Sequence, residues 1–267
     1  MDNTPLTYRY TRKGELHRVT DTENRLLVAD SFLVDNGMAR APERHAARFV
    51  NSCLFFADLK TSELARFWQL AMQQIPVGGL WFPRVEMAGP KKAPLLQIRI
   101  RPAPQLQSEA RLAHGETRDR RRHPRHKGPD ISLLDKQRQQ IMAMGADEGI
   151  LCTPGQYLLE GLFSSILWWE NGTLCQTLPS KRVLPSITAT LLREVAIKRH
   201  IPFAWRFRKW QELDGCETWV VNALHGIRRA INWPLAPWHT PAHTDRDDWQ
   251  LALNQHALRP VASEYPL

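Results

Sequence analysis

The chain has 267 residues, 43% of them hydrophobic and 24% charged, with ten tryptophans, a composition that excludes a disordered polymer and requires a buried core. No stretch reaches the roughly 18 apolar residues of a membrane span, no apolar run follows a basic start at Met1-Asp2-Asn3-Thr4-Pro5, and the four cysteines stand apart, so a cytoplasmic protein with reduced thiols is expected. The net charge of +9 is local: Arg111, Arg118, Arg120, Arg121, Arg122, Arg125 and Lys127 stand against Glu116 and Asp119 in one short run and supply more than half of it.

In chain order, Thr61 to Gln74 places Leu64, Phe67, Trp68 and Leu70 to Met72 on one side of a predicted helix that Pro76 ends. Leu95 to Arg101 alternates as a strand, with Leu96, Ile98 and Ile100 on one face and Arg99 and Arg101 on the other. From Gln105 to His126 the sequence turns polar and basic, which predicts a connector. The expected organisation is a smaller α+β domain over 1–109, a basic connector over 110–126, and a larger α+β domain over 127–267.

Beyond the connector, Asp130 stands where it can cap a helix carrying Ile131, Leu134, Ile141 and Met144, with Gly145 as its C-terminal glycine. Tyr157 to Glu160 and Ser164 to Trp169 are predicted strands, and Asn171-Gly172 is the signal of a type I′ hairpin. Leu184 to His200 is a second helix with Pro185 near its start, and Trp219 to Val221 a further strand. The segment 233–267 is too rich in Pro and His to assign. His239 and His243 are four apart, but Pro241 between them makes a helical metal pair untenable, and no metal site is expected.

Five motifs follow one another: Lys127-Gly128-Pro129-Asp130, Gly145-Ala146-Asp147-Glu148, Leu159-Glu160-Gly161, Leu184-Pro185-Ser186-Ile187-Thr188 and Val221-Asn222-Ala223-Leu224, with a fainter set over Ala29 to Cys53 that includes His45-Ala46-Ala47-Arg48. In this order and spacing the chain resembles the class IV aminotransferases, the fold-type-IV pyridoxal phosphate (PLP) enzymes that include branched-chain and D-amino-acid aminotransferases and aminodeoxychorismate lyase. The resemblance implies a two-domain α+β fold, an active site between the domains, PLP as cofactor and a homodimer. It implies as partners an amino acid and a 2-oxo acid, or aminodeoxychorismate.

By the same resemblance Lys127 is the Schiff-base lysine, whose amine needs a lowered pKa to act as nucleophile and base. Glu160, 33 residues on, corresponds to the glutamate that pairs with the PLP pyridine nitrogen. Ser186, Ile187 and Thr188 open a helix whose free amides suit a phosphate, Arg48 adds a charge, and Asn222 and Ala223 close the same side. Ser31, Arg99, Arg122 and Leu224 are the candidate substrate-side residues. The family's glycine-aspartate-glycine pattern is replaced here by Ala29-Asp30-Ser31, while Arg122-His123-Pro124 and Asn222-Ala223-Leu224 look like the lyase version. A rival from another class is a catalytically silent relative that binds nucleic acid through the basic run. That run lacks aromatic residues for base stacking, which argues against it.

Overall fold

The computed structural model describes residues 5–20, 25–115 and 119–260. The start Met1 to Thr4, read above for a secretory signal, the connector residues Glu116 and Arg118, and the last seven residues of the unassigned tail lie outside them. The chain divides into two compact units. Met1–Gln105, His126–Pro129 and His256–Leu267 bound the first, and Leu106–Arg125 with Asp130–Gln255 the second.

The first unit is built on a five-stranded antiparallel sheet in the order Leu16–Val19, Leu6–Tyr10, Leu95–Ile100, Arg84–Ala88, Leu26–Ser31. Alternation along these strands sends Met87, Ile98 and Ile100 to one face, all buried. The helices Pro42–Phe56 and Thr61–Gln73 supply Phe49, Leu64, Phe67 and Trp68 to the same core, where Tyr10 meets Phe67 edge to face at 5.6 Å. Pro42 opens its helix because its fixed φ suits the first turn and its missing N–H is no loss there.

In the second unit a six-stranded sheet runs Phe203–Arg206, Thr173–Thr177, Ser165–Glu170, Thr218–Asn222, Gly226–Ala230, Glu109–Ala110. A three-stranded sheet holds Leu112–Ala113, Glu148–Cys152 and Leu158–Gly161. The predicted hairpin is formed, with Asn171 at φ 48° and Gly172 at φ 75°. Helices Ile131–Ala143 and Ile187–Lys198 fall where the periodicity predicts them. The tail left unassigned contains a helix, Arg246–Asn254, started by Asp245 accepting from the Asp247 and Asp248 amides.

Three expectations are corrected. The segment after Gln105 is no plain connector: Glu109–Ala110 and Leu112–Ala113 are paired strands, and Ala110, Leu112, Ala113 and Arg121 are buried. Strands of two residues leave too short a pattern for periodicity to register. Asp130 does precede its helix, but its carboxylate makes no cap; it accepts from the Arg122 and His123 amides at 3.0 and 2.8 Å. The unit bounds also differ from those expected, since Lys127 goes with the first unit and 106–125 with the second.

The placement of Lys127 depends on its neighbour. The Lys127 carbonyl accepts from the Ala29 amide at 2.7 Å, so this piece of chain lies directly on the strand Leu26–Ser31. Gly128 has φ +129°, and a Cβ there would stand 2.6 Å from the Ala29 nitrogen and 2.7 Å from the Val28 backbone. Rigid backbone cannot yield as a side-chain tip can. Gly128→Ala is expected to lower the unfolding free energy by about 2–4 kcal/mol, as read from urea unfolding; a change within about 0.5 kcal/mol, the size of an ordinary surface substitution, would contradict this packing.

Candidate active site

In the first unit, helix Pro42–Phe56 presents His45 and Arg48, three residues apart and therefore on one face, to Asp30 on the adjacent strand. Arg48 grips Asp30 with two bonds, Nε to Oδ2 at 2.8 Å and Nη2 to Oδ1 at 2.9 Å. His45 Nδ1 lies 2.7 Å from Oδ1, and because a carboxylate can only accept, Nδ1 carries the proton. Burial alone would raise the Asp30 pKa; Arg48 and His45 overcome it and hold the carboxyl well below the usual range. Burial also lowers the His45 pKa, with Asp30 opposing.

Lys127 enters this cluster from the His126–Pro129 segment. Its amine is pushed down to about 8, chiefly by loss of solvation, then by Arg48, Arg84 and Arg101, with Asp30 opposing. The residue as a whole is only partly buried. Ser31 is buried beside Asp30 in the strand, and Arg99 is paired with the buried Glu86.

In the second unit, Glu160 lies on the strand Leu158–Gly161 and is buried. Burial raises its pKa to about 7, opposed by Arg121 and by the Leu184 amide. Arg121 Nη1 donates to Oε1 at 2.6 Å and the Leu184 amide to the same oxygen at 3.0 Å. Among the described residues no hydrogen bond ends on Oε2, so one oxygen of this buried residue's carboxylate is left for a donor. Arg121 is in turn held by Asp119 Oδ1 at 2.9 Å and by the Arg182 carbonyl at 2.8 Å, and Asp119 also takes Arg182.

Ser186 caps the helix Ile187–Lys198, its hydroxyl accepting from the Ala189 amide at 3.2 Å. Thr190 N returns to the Ser186 carbonyl, which leaves the Ile187 and Thr188 amides at the positive end of the helix without an intrahelical acceptor. Thr188 is buried at that end. The Asn222 carboxamide oxygen accepts from the Leu224 and His225 amides at 3.1 and 2.9 Å, which fixes the turn containing Ala223 and Leu224. Arg122 is exposed.

The structure thus gathers Arg48, Lys127 and Ser31 in the first unit, and joins Glu160 to the chain just before Ser186 through Leu184 in the second. Arg121, Asp119, Arg84 and Arg101 were not among the residues singled out by sequence. Arg101 had a signal in the strand alternation. Arg121 had none, being one arginine of a run. The available chemistry is an amine of lowered pKa in the first unit and, in the second, a carboxylate oxygen that no described residue engages and free helix-start amides with a nearby hydroxyl.

The chain matches the amino-transferase class IV family model over residues 27–233. In structure it is similar to a fold IV-transaminase from Curtobacterium pusillum, at 16% identity and TM-score 0.77 over 94% of this chain and 98% of that one. A PLP-bound hypothetical aminotransferase from Mycobacterium tuberculosis is similar at 16% identity and TM-score 0.76, over 94% and 98%. A branched-chain aminotransferase from Thermoproteus uzoniensis, with norvaline, is similar at 15% identity and TM-score 0.77, over 98% and 97%. At these identities the likeness establishes the mixed α and β fold of fold-type-IV transaminases. No curated protein matches the chain by sequence. Among the described residues no helix is long and apolar enough to cross a membrane.

The Lys127 amine allows a test without ligand. An unfolded lysine titrates near ~10.4, so the folded state, with its amine at about 8, binds this proton less readily than the unfolded chain. Below pH 8 the charged lysine therefore costs stability, and the cost fades as pH rises toward the unfolded value. Lys127→Met is expected to stabilise the cofactor-free protein at pH 7 by roughly 1–3 kcal/mol, allowing for partial solvent screening, with the gain shrinking at pH 10. Denaturant unfolding at the two pH values measures it; a pH-independent difference would remove the case for a strained ammonium.

Proposed function

Because the chain belongs to the class IV aminotransferase family, we propose that it is a PLP-dependent aminotransferase moving an amino group between an amino acid and a 2-oxo acid. The observation that carries this reading is the Lys127 amine, lowered to about 8 by burial and by its cationic neighbours at the position of the family's lysine motif. The cofactor supplies a carbonyl that takes up the amino group and a ring that accepts the electron pair released at the substrate Cα.

Lys127 is assigned two tasks: to hold the cofactor at its carbonyl carbon and, once released, to carry the proton from the substrate Cα. An amine near neutrality serves both, because an appreciable fraction is unprotonated at working pH. Glu160 is assigned to the ring nitrogen through Oε2, the oxygen that no described residue engages, and Arg121 opposes protonation of the carboxylate. Ser186, Ile187 and Thr188 are assigned to the phosphate through the helix-start amides and the Thr188 hydroxyl, with Arg48, Asn222 and Ala223 on the same group. Asp30 holds Arg48 in one orientation. Ser31, Arg99, Arg122 and Leu224 are assigned to the substrate side. The enzyme is proposed to be a cytoplasmic homodimer.

One feature favours a second outcome. Asn222-Ala223-Leu224 and Arg122-His123-Pro124 look like the lyase form of the family, in which removal of the Cα proton is followed by loss of pyruvate from aminodeoxychorismate to give p-aminobenzoate. The same Lys127 and Glu160 serve both reactions, so product analysis with amino acids, 2-oxo acids and aminodeoxychorismate separates them.

Lys127→Ala is expected to abolish turnover and with it the covalent PLP adduct that borohydride traps in the parent protein. Mass spectrometry of the reduced protein checks this, and an adduct on the variant would assign the lysine elsewhere. Glu160→Gln is expected to retain PLP while kcat falls roughly tenfold to a hundredfold, the loss of one charge-assisted bond in a closed site. An unchanged kcat with bound PLP would detach Glu160 from the ring nitrogen.

A further inference from the structure

The positive charge that does not belong to the run before Lys127 sits in a second run. Between Arg193 and Trp210 stand Arg193, Lys198, Arg199, Arg206, Arg208 and Lys209 against one acid, Glu194, and outside the two runs the chain carries no positive excess. Here, unlike before Lys127, aromatic residues are interleaved with the cations. Phe203, Trp205 and Phe207 recur at every second position, the period that places them on one face of an extended chain.

The structure puts this stretch at an edge. Phe203–Arg206 is the outermost strand of the six-stranded sheet and pairs, among the described residues, only with Thr173–Thr177. Beyond it the Arg208 carbonyl accepts from the Leu158 amide at 2.9 Å, which brings Tyr157 onto Phe207. Those two rings stack at 3.8 Å with 13° between their planes, and Phe203 meets Trp205 edge to face at 5.0 Å. The Arg193 guanidinium lies over Phe203 and Trp205 at 6.0 and 5.6 Å, and the Lys209 amine over Tyr157 at 5.9 Å.

Not all of this charge is answered. Arg199 pairs with Asp248, and Arg206 and Arg208 share the single carboxylate of Glu170. Among the described residues Arg193 and Lys209 enter no ion pair. Charge alone would guard an edge strand against pairing with another chain, and it would do so without rings. Phe207 is 58% exposed. A row of aromatic faces flanked by unanswered cations matches a polymer in which flat apolar rings alternate with negative charges. An acidic peptide supplies the charge without the flat faces, and a duplex hides its base faces in its own stack.

We propose that the edge from Phe203 to Lys209, with Tyr157 and Arg193, binds single-stranded nucleic acid, bases stacking on Trp205 and on the Phe207–Tyr157 pair and phosphates meeting Arg193, Arg206 and Lys209. Fully extended, these residues span about 20 Å, more than a single nucleotide fills. The surface lies wholly in the second unit and is independent of the reading of Lys127 as the cofactor lysine.

Fluorescence anisotropy of the holoenzyme with a short labelled oligothymidylate tests this. The oligomer is expected to bind roughly tenfold or more tighter than an abasic strand of equal length, and tighter than the corresponding duplex, because stacking adds to phosphate contacts only where base faces are free. Phe207→Leu keeps apolar bulk and loses the aromatic face; it is expected to weaken binding roughly fivefold to a hundredfold, while Phe207→Trp retains it. Lys209→Gln is expected to reduce the slope of log affinity against log salt by about 0.7, the share of one phosphate contact on a single strand. Circular dichroism reports that each variant is folded. No binding of the oligothymidylate, equal affinity for the abasic strand, full affinity in Phe207→Leu, or tighter binding to a polyglutamate peptide or to phosphatidylserine vesicles overturns the proposal.

Discussion

A carboxylate taken out of water must be answered by charge, and the answer to Asp30 organises the first unit. Its strand is buried, so the group is stable only because Arg48 and His45 reach it from one helix face. The pairing fixes the helix against the strand and holds Arg48 in one rotamer. It leaves Lys127 in a field where the arginines outweigh the acid. Removing Asp30 would strand two groups whose surroundings assume its charge, and the amine would be pushed lower still.

The second unit answers a similar problem differently. Glu160 is satisfied at one oxygen only, and its neutraliser, Arg121, is shared with Asp119, which also binds Arg182. The chain of alternating charges lets a buried carboxylate sit near pH 7 without being fully engaged. A fully paired glutamate would be more stable and of less use, since the unpaired oxygen is what a ring-nitrogen proton would need.

Much of this was legible in the sequence where the signal is local. The Asn171-Gly172 turn, the helix after Ser186 and the helix ended by Pro76 follow from neighbouring residues, and the structure has them. Ordered motifs, not any property of the single residues, single out Lys127, Glu160 and Arg48 as proposed site residues. What escaped depends on distant pairing. Arg121 differs from Arg120 and Arg122 only in that its side chain is buried against Glu160, and the Arg84–Arg99 register requires knowing which strands are neighbours. Ala110 and Ala113 are too small to mark a strand, so a woven segment read as a tether.

The threading of the chain constrains how it acquires this structure. The strand Ala257–Leu258 pairs with Met38–Arg40, and the Ala41 amide that leads into the Arg48 helix donates to the His256 carbonyl. A ribosome has to translate more than two hundred intervening residues before that pairing can form, while the second unit lies almost wholly within the interval. Contacts of such sequence separation are slow to close and leave edges bare while they wait. The five-stranded sheet has all its strands within the first hundred residues, whereas Met38–Arg40, just before the Arg48 helix, keeps one edge bare until the Ala257–Leu258 strand has been made.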